Sequence, residues 1–285
     1  MGDFAVNAAV AHQVGAARGH LSVLSAMNIS RDELLADFGR TINDLILSHR
    51  PDLERTRAAI LSLPEFMRRP IPETRMRWVD GTPEYSFHIY ALKKLFPEAR
   101  FIHLLRDVRD VVRSMLNLHR LTGVKLVANE EEAYRYWLRT VKACAQAERA
   151  YGSNVVRRFD YDRLIDHSES AIRSMLSFIG EPFCARCVEP LGHQINSSEV
   201  PSDFVSEDPA TDRRVVEEAE NLYVELQNTP EVSASSTAAD EMAARFDQRV
   251  QHFATVEEQL RNALQTIKTL EKQCSKENIR NEALF

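Results

Sequence analysis

The sequence is poor in cysteine and has no long apolar run. Its four cysteines (Cys144, Cys184, Cys187 and Cys274) are scattered, which argues against a disulfide scaffold and fits a reducing compartment, the cytoplasm. No stretch reaches the roughly 18 consecutive apolar residues of a membrane span. The start carries Asp3 and no basic region, so it does not read as a secretory signal. No Gly-x-x-x-x-Gly-Lys-Ser/Thr phosphate loop occurs. A net charge of −6 argues against nucleic acid as a general partner. What is there is ordinary for a soluble globular protein: 44% hydrophobic and 27% charged residues. A length of 285 residues allows one sizeable domain or two small ones.

One stretch carries more information than the rest. Phe-Ile-His-Leu-Leu at 101–105 is a short apolar run, as in a buried parallel strand. Asp107 then reads as a helix N-cap, with Asp110 in the first turn. Val108, Val111, Val112, Met115 and Leu116 recur at helical spacing and form one apolar stripe. Arg109, Arg113 and Asn117 are expected on the opposite side. Arg106 therefore sits at the carboxyl end of a strand, just before a helix N-terminus. Open α/β sheets bind ligands at that edge, and helix N-termini suit phosphates. Ser114 lies seven residues after Asp107 and returns to the same helix face. Arginines 100, 106, 109, 113 and 120 make the window locally basic against Asp107 and Asp110.

The segment Leu95-Phe-Pro-Glu-Ala-Arg-Phe-Ile-His-Leu-Leu-Arg106, followed by Asp107-Val-Arg-Asp-Val-Val-Arg-Ser114, resembles the 3′-phosphate-binding segment of sulfotransferases. These enzymes use 3′-phosphoadenosine 5′-phosphosulfate (PAPS). The resemblance implies that Arg106 and Ser114 contact the 3′-phosphate of PAPS. It implies a P-loop-type α/β fold, a parallel sheet with helices on both faces. It also implies transfer of a sulfuryl group to a hydroxyl or amine of an unidentified small-molecule, sugar or peptide acceptor, with no metal. Val155 to Ile165 (Val-Val-Arg-Arg-Phe-Asp-Tyr-Asp-Arg-Leu-Ile) resembles the family's Arg-Tyr-Glu-Asp-Leu segment. The likeness extends over about 76–205.

Two departures stand against it. The family's Gly-x-Pro-Arg-Ser-Gly-Thr-Thr loop, which cradles the 5′-phosphosulfate, is not found. The first strand and that loop are therefore expected to be missing, and these residues by themselves are expected to be inactive. In Asp80-Gly-Thr-Pro-Glu-Tyr-Ser86, Gly81 stands where the family often has lysine. Asp80 and Glu84 are the nearest carboxylates, and neither is assigned as catalytic base. The alternative reading is a non-catalytic relative that binds nucleotide or acts through a coiled coil.

The remaining stretches read as scaffold. Ser30 and Glu33 form a capping box for a helix whose apolar face is Leu34, Leu35, Phe38, Ile42, Leu45 and Ile46. A second helix opens at Pro51. Arg68, Arg69, Arg75 and Arg77 are either a solvated face or a basic rim for an anionic cofactor. A short strand is expected at Met76–Val79. A helix runs from Pro83 to about Leu95, with Thr82 as its cap. His88 reads as a packed or surface residue and His103 as a core histidine. A long helix spans Glu130 to about Tyr151 and stops at Gly152. Another starts at Ser168 and stops at Gly180. Cys184-Ala-Arg-Cys187 follows a helix rather than a strand, which argues against a thioredoxin-type motif. Ile195-Asn-Ser-Ser198 reads as a turn.

Three regions result: a sulfotransferase-like domain over 1–227, a linker over 228–245 and a helix over 246–285. In that helix Phe253, Leu260, Ile267 and Cys274 share one heptad position, and Val256, Ala263, Leu270 and Glu277 share another. It is either a short coiled coil, giving self-association through 246–285, or a single amphipathic helix lying back on the domain.

Overall fold

The structure is a computed structural model, and it describes residues 2–17, 27–48, 77–123, 125–192 and 208–282. The helix expected from Pro51 and the Asn-Ser-Ser turn lie outside the described residues. The chain divides into two compact units. One comprises Met1–Val79, Lys94–Pro97 and Ala243–Phe285, the other Asp80–Lys93 and Glu98–Met242.

In the first unit, α1 (Gly2–Ala17) buries Ala5, Val6, Ala9 and Val10 on one face. Helix α2 (Arg31–Ser48) starts where the capping box predicts, with Ser30 Oγ accepting the Glu33 N–H at 3.1 Å. Its buried ridge is Leu35 and Gly39, one turn apart. A Cβ on Gly39 would lie 1.7 Å from the Leu95 carbonyl oxygen, so only glycine permits this backbone approach. That close contact turns the helix so that Phe38 and Leu45, expected inside, are 36% and 59% exposed. Trp78 donates its indole N–H to Asn43 Oδ1 at 3.0 Å and stands edge-on to Phe96. Of the strand expected at Met76–Val79, residues 77–79 carry no regular structure, and Val79 is 88% exposed. No neighbouring strand among the described residues supplies ladder hydrogen bonds there.

The second unit is built on a parallel pair, β1 (Phe101–Leu105) and β2 (Val156–Asp160). Phe101 stands opposite Val156, and Leu105 opposite Asp160. A parallel pair needs a crossover. Here it is supplied by α4 (Val108–Thr122) and α5 (Glu130–Tyr151), after α3 (Ile89–Leu95) has led into β1. The predicted helix from Pro83 is a 3-10 helix to His88 and becomes α-helical from Ile89. Helix α5 is capped by Asn129, which accepts the Glu132 N–H at 2.9 Å. It stops at Gly152, whose φ of 71° favours glycine. After β2 come α6 (Tyr161–Asp166) and α7 (Ser168–Ile179), which ends on left-handed Gly180.

Strand alternation sorts the sheet residues. His103 and Arg158 share one face and meet α5 through Glu148. Arg157 and Phe159 share the other, where both reach the Phe178 ring of α7, at 5.1 and 6.1 Å. On that second face Ile102 and Leu104 of β1 stay 39% and 43% exposed. Helices thus cover both faces of β2. The sheet expected from the sequence is larger than the two strands found among the described residues.

Helix α8 (Arg213–Asn228) closes the core of this unit. Its Val215, Ala219, Tyr223 and Leu226 pack with Val108 and Val112 of α4 and with Tyr134, Trp137 and Leu138 of α5. Asn117, expected on the polar side of α4, is fully buried instead. It lies five residues after Val112, and α4 has neighbours on both flanks of its apolar stripe.

The linker is shorter than expected. Helix α9 runs from Ser236 to Glu282, so residues 236–245 are helical. Nor is the segment before it loose. Ser235 N–H donates to the Arg149 carbonyl at 2.9 Å, and Ser153 N–H to the Val232 carbonyl at 3.2 Å. Ser and Thr composition reads as linker only until such backbone partners are found.

Candidate anion site at the carboxyl edge of the sheet

The edge is set by the ends of β1 and β2. Asp107 caps α4 as expected: its Oδ1 accepts the Arg109 N–H at 2.8 Å and the Asp110 N–H at 3.2 Å. Asp160 does the same for α6, accepting from Asp162 N–H at 2.8 Å and Arg163 N–H at 3.3 Å. Two strand ends and two capped helix starts therefore lie side by side, through the parallel pairing of Leu105 with Asp160.

Arg106 stands in the turn between β1 and α4. Its guanidinium lies over the Tyr161 ring, 4.6 Å from the centroid, and 3.7 Å from the Asp110 carboxylate. A side chain 35% exposed still has its Nε buried without an acceptor. Buried donors are normally satisfied, so this N–H is one that an anion would complete. Ser114 is half-buried on α4, two turns from the cap.

Two other arginines of the basic window, Arg109 and Arg100, are engaged elsewhere. Arg109 pairs with Glu220 at 2.6 Å, and that hydrogen bond holds its guanidinium above its ordinary range. Arg100 donates to the Phe178 carbonyl and lies against the Phe178 ring. Carboxylates that the window did not contain arrive from β2 and α6. Burial, and the charges of Asp160, Asp110 and Asp107, push the Asp162 carboxyl up. Tyr223 donates to Asp162 Oδ2 at 3.5 Å, and burial raises its phenol to about 12. Gln227 bonds Tyr223 at 2.7 Å and Asp160 at 3.4 Å, tying α8 to the same edge. Arg106 is thus a stacked arginine with carboxylates around it, Asp110 on its own helix and Asp160 and Asp162 from the neighbouring strand and helix. Tyr161, Asp162 and Tyr223 were not found from sequence, because they lie far along the chain from Arg106.

The two other named carboxylates are held in their own turn. Asp80 accepts from the Thr82 N–H at 3.0 Å, the Thr82 hydroxyl at 2.6 Å and the Tyr85 hydroxyl at 3.2 Å. Hydrogen bonding from Thr82 lowers its carboxyl below the usual range. Glu84 accepts from the Tyr136 hydroxyl at 3.3 Å. A Cβ on Gly81 would meet nothing within 4 Å, so the position where lysine is common in the family has room for a side chain.

Deeper in the sheet, His103 Nδ1–H donates to Glu148 Oε1, and the Arg158 guanidinium lies 3.2 Å from Glu148 Oε2. These side chains are 5%, 6% and 13% exposed. His103 is a core histidine, as its place in an apolar strand implied. Its partner was hidden, since Glu148 reads in sequence as one more charge on a long helix. No group of residues suited to hold a metal ion occurs among the described residues.

A model of the sulfotransferase family matches residues 25–184. That range is more than half of the chain and contains β1, α4, β2 and α7. The chain belongs to the sulfotransferase family. The match starts well before residue 76, where the likeness noted from motifs begins, and takes in α2. It ends at Cys184, short of Ile195-Asn-Ser-Ser198. No curated protein and no solved structure matches this chain. No helix among the described residues is long and apolar enough to cross a membrane.

Proposed function

We propose that this sulfotransferase-family chain uses PAPS as its sulfuryl donor, on a P-loop-like fold, with Arg106 and Ser114 holding the 3′-phosphate. The observation that carries this reading is the Arg106 Nε, buried without an acceptor at the carboxyl end of a parallel strand. A donor so placed fits a phosphate oxygen. Bound PAPS supplies an activated sulfuryl group and leaves as adenosine 3′,5′-bisphosphate.

Arg106 contributes a fixed fork of donors, with its plane held by the Tyr161 ring. Its 3.7 Å approach to Asp110 is long for a hydrogen bond, so the Nη donors remain able to turn to a ligand. Ser114 contributes a hydroxyl donor from the second turn of α4. The acceptor is a hydroxyl or amine, and free cysteines throughout fit a cytoplasmic setting.

A non-catalytic relative is the second reading. Gly81 favours it, because a cation common at that point in the family is missing here. Calorimetric titration with adenosine 3′,5′-bisphosphate tests what both readings share. Arg106→Ala removes a charge-assisted contact worth about 1.5–3 kcal/mol, so affinity should fall by roughly 10- to 150-fold. Equal affinity in the variant overturns the assignment. Sulfate transfer from labelled PAPS then separates an enzyme from a non-catalytic binder.

A further inference from the structure

Helix α9 extends 47 residues, from Ser236 to Glu282. Its early part is anchored: Phe246 and Val250 are buried, Arg31 lies over the Phe246 ring at 5.7 Å, and Arg31 pairs with Asp247 at 2.7 Å. Beyond Val250 the pattern changes. Phe253, Val256, Leu260, Leu264, Ile267 and Leu270 are all between 41% and 59% exposed.

These residues are not scattered. Phe253, Leu260 and Ile267 recur every seven residues, and Val256, Ala263 and Leu270 do the same. A free straight helix has 3.6 residues per turn, so a strict seven-residue repeat drifts slowly around it. The repeat stays in line only when the helix supercoils about a partner. An apolar stripe meant for the globular surface would not need this period.

We propose that residues 253–274 of α9 pair with the same residues of a second copy, as a parallel, in-register, two-stranded coiled coil. The flanking charges select the orientation. With Phe253 at position a, the e positions are Glu257, Leu264 and Glu271, and the g positions are Gln259, Thr266 and Gln273. A parallel pair sets g against e′, which places Gln259 by Leu264 and Thr266 by Glu271 of the other copy. No like charges meet. An antiparallel pair centred on the same seam sets e against e′, bringing Glu257 against Glu271, a like-charge contact. Glu257 is already satisfied within its own helix by Arg261 at 3.1 Å, which keeps it beside the seam and out of it.

The parallel register has a chemical signature. Cys274 is an exposed free thiol at the next a position after Ile267. In register, two Cys274 side chains face each other across the seam, within the ~4.4–6.8 Å Cα separation of a disulfide. Diamide would take two electrons and two protons from the facing thiols to form one S–S bond. In the antiparallel arrangement Cys274 faces the Phe253 end instead, some 30 Å from its counterpart by the ~1.5 Å rise per residue.

The test uses the full chain with Cys184→Ser and Cys187→Ser, which leaves Cys274, exposed, and Cys144, half-buried in the sheet unit with its thiol pushed up by burial, as the remaining cysteines. Sedimentation velocity should show a dimer, and diamide should give a covalent dimer on a non-reducing gel. Adding Cys274→Ser should abolish the covalent species and leave the sedimenting dimer. Adding Leu260→Asp with Ile267→Asp should give monomer with an unchanged urea midpoint read from the buried Trp137, since both sites are exposed and lie outside its core. A monomer or trimer in the starting protein overturns the proposal. So does a dimer that survives the double aspartate variant. A dimer that diamide does not cross-link overturns the parallel register.

Discussion

Replacing Glu148 by glutamine tests the buried charge cluster of the sheet unit. The carboxylate receives the His103 Nδ1–H on one oxygen and the Arg158 guanidinium on the other, at 3.2 Å. At an effective dielectric of about 20, an ion pair at that distance is worth roughly 5 kcal/mol before desolvation is counted. Glutamine keeps the shape but carries no charge, and its single oxygen can accept from the imidazole N–H or from the guanidinium, not both. A charge 13% exposed at Arg158 is then left without its anion, although its Nη2 keeps the Thr229 carbonyl at 2.8 Å. Removing one partner of a buried pair costs about 3–5 kcal/mol. With a urea slope of about 2–3 kcal/mol/M, the midpoint should fall by roughly 1–2.5 M. The assay is urea unfolding followed by tryptophan fluorescence in a Trp78→Phe background. That leaves Trp137, which is 4% exposed in the core of the same unit. A second pair of variants, Arg158→Met alone and combined with Glu148→Gln, closes a double-mutant cycle. A midpoint shift under about 0.3 M, or a coupling energy near zero, would refute the reasoning.

Three further outcomes follow from other parts of the structure. Gly152→Ala should lower stability by about 1–2 kcal/mol in the same urea assay, because φ is 71° and the new Cβ would sit 2.9 Å from the Ala234 backbone nitrogen. Cys144, whose thiol burial pushes up to about 12, should resist a thiol reagent at pH 8 in the native protein and react after unfolding. Cys184, lowered by hydrogen bonds from Arg186, should be among the first to react, as read by peptide mass. Asp80 has its carboxyl lowered below 3.8 by Thr82, so its contribution is present above the unfolded value and is lost as pH falls through the lowered one. A carboxyl resonance for Asp80 titrating at or above 3.8 would contradict the Thr82 contacts.

What could be read early and what could not divides along a physical line. The strand at 101–105, the Asp107 cap, the apolar stripe of α4 and the stops at Gly152 and Gly180 come from contiguous residues. Caps, helical period and left-handed glycines are local, and local energetics is written in local sequence. The linker is shorter than its composition implies for the same reason in reverse. Residues 229–235 have linker composition, but their backbone partners are Arg149 and Ser153, far back in the chain.

The chain itself determined that Arg106 would stand between a strand and a helix N-terminus, with Ser114 two turns on. It also determined the seven-residue repeat of α9. Tertiary structure decided what surrounds those residues. It brought Tyr161 over Arg106, added Asp160 and Asp162 to the same edge, and engaged Arg109 and Arg100 elsewhere. It put Asn117 in the core and joined His103 to Glu148 across 45 residues. A polar residue on a helix has no sequence mark that says it will be buried. That depends on which element packs over it, and a buried charge is tolerated only where a distant partner arrives to meet it.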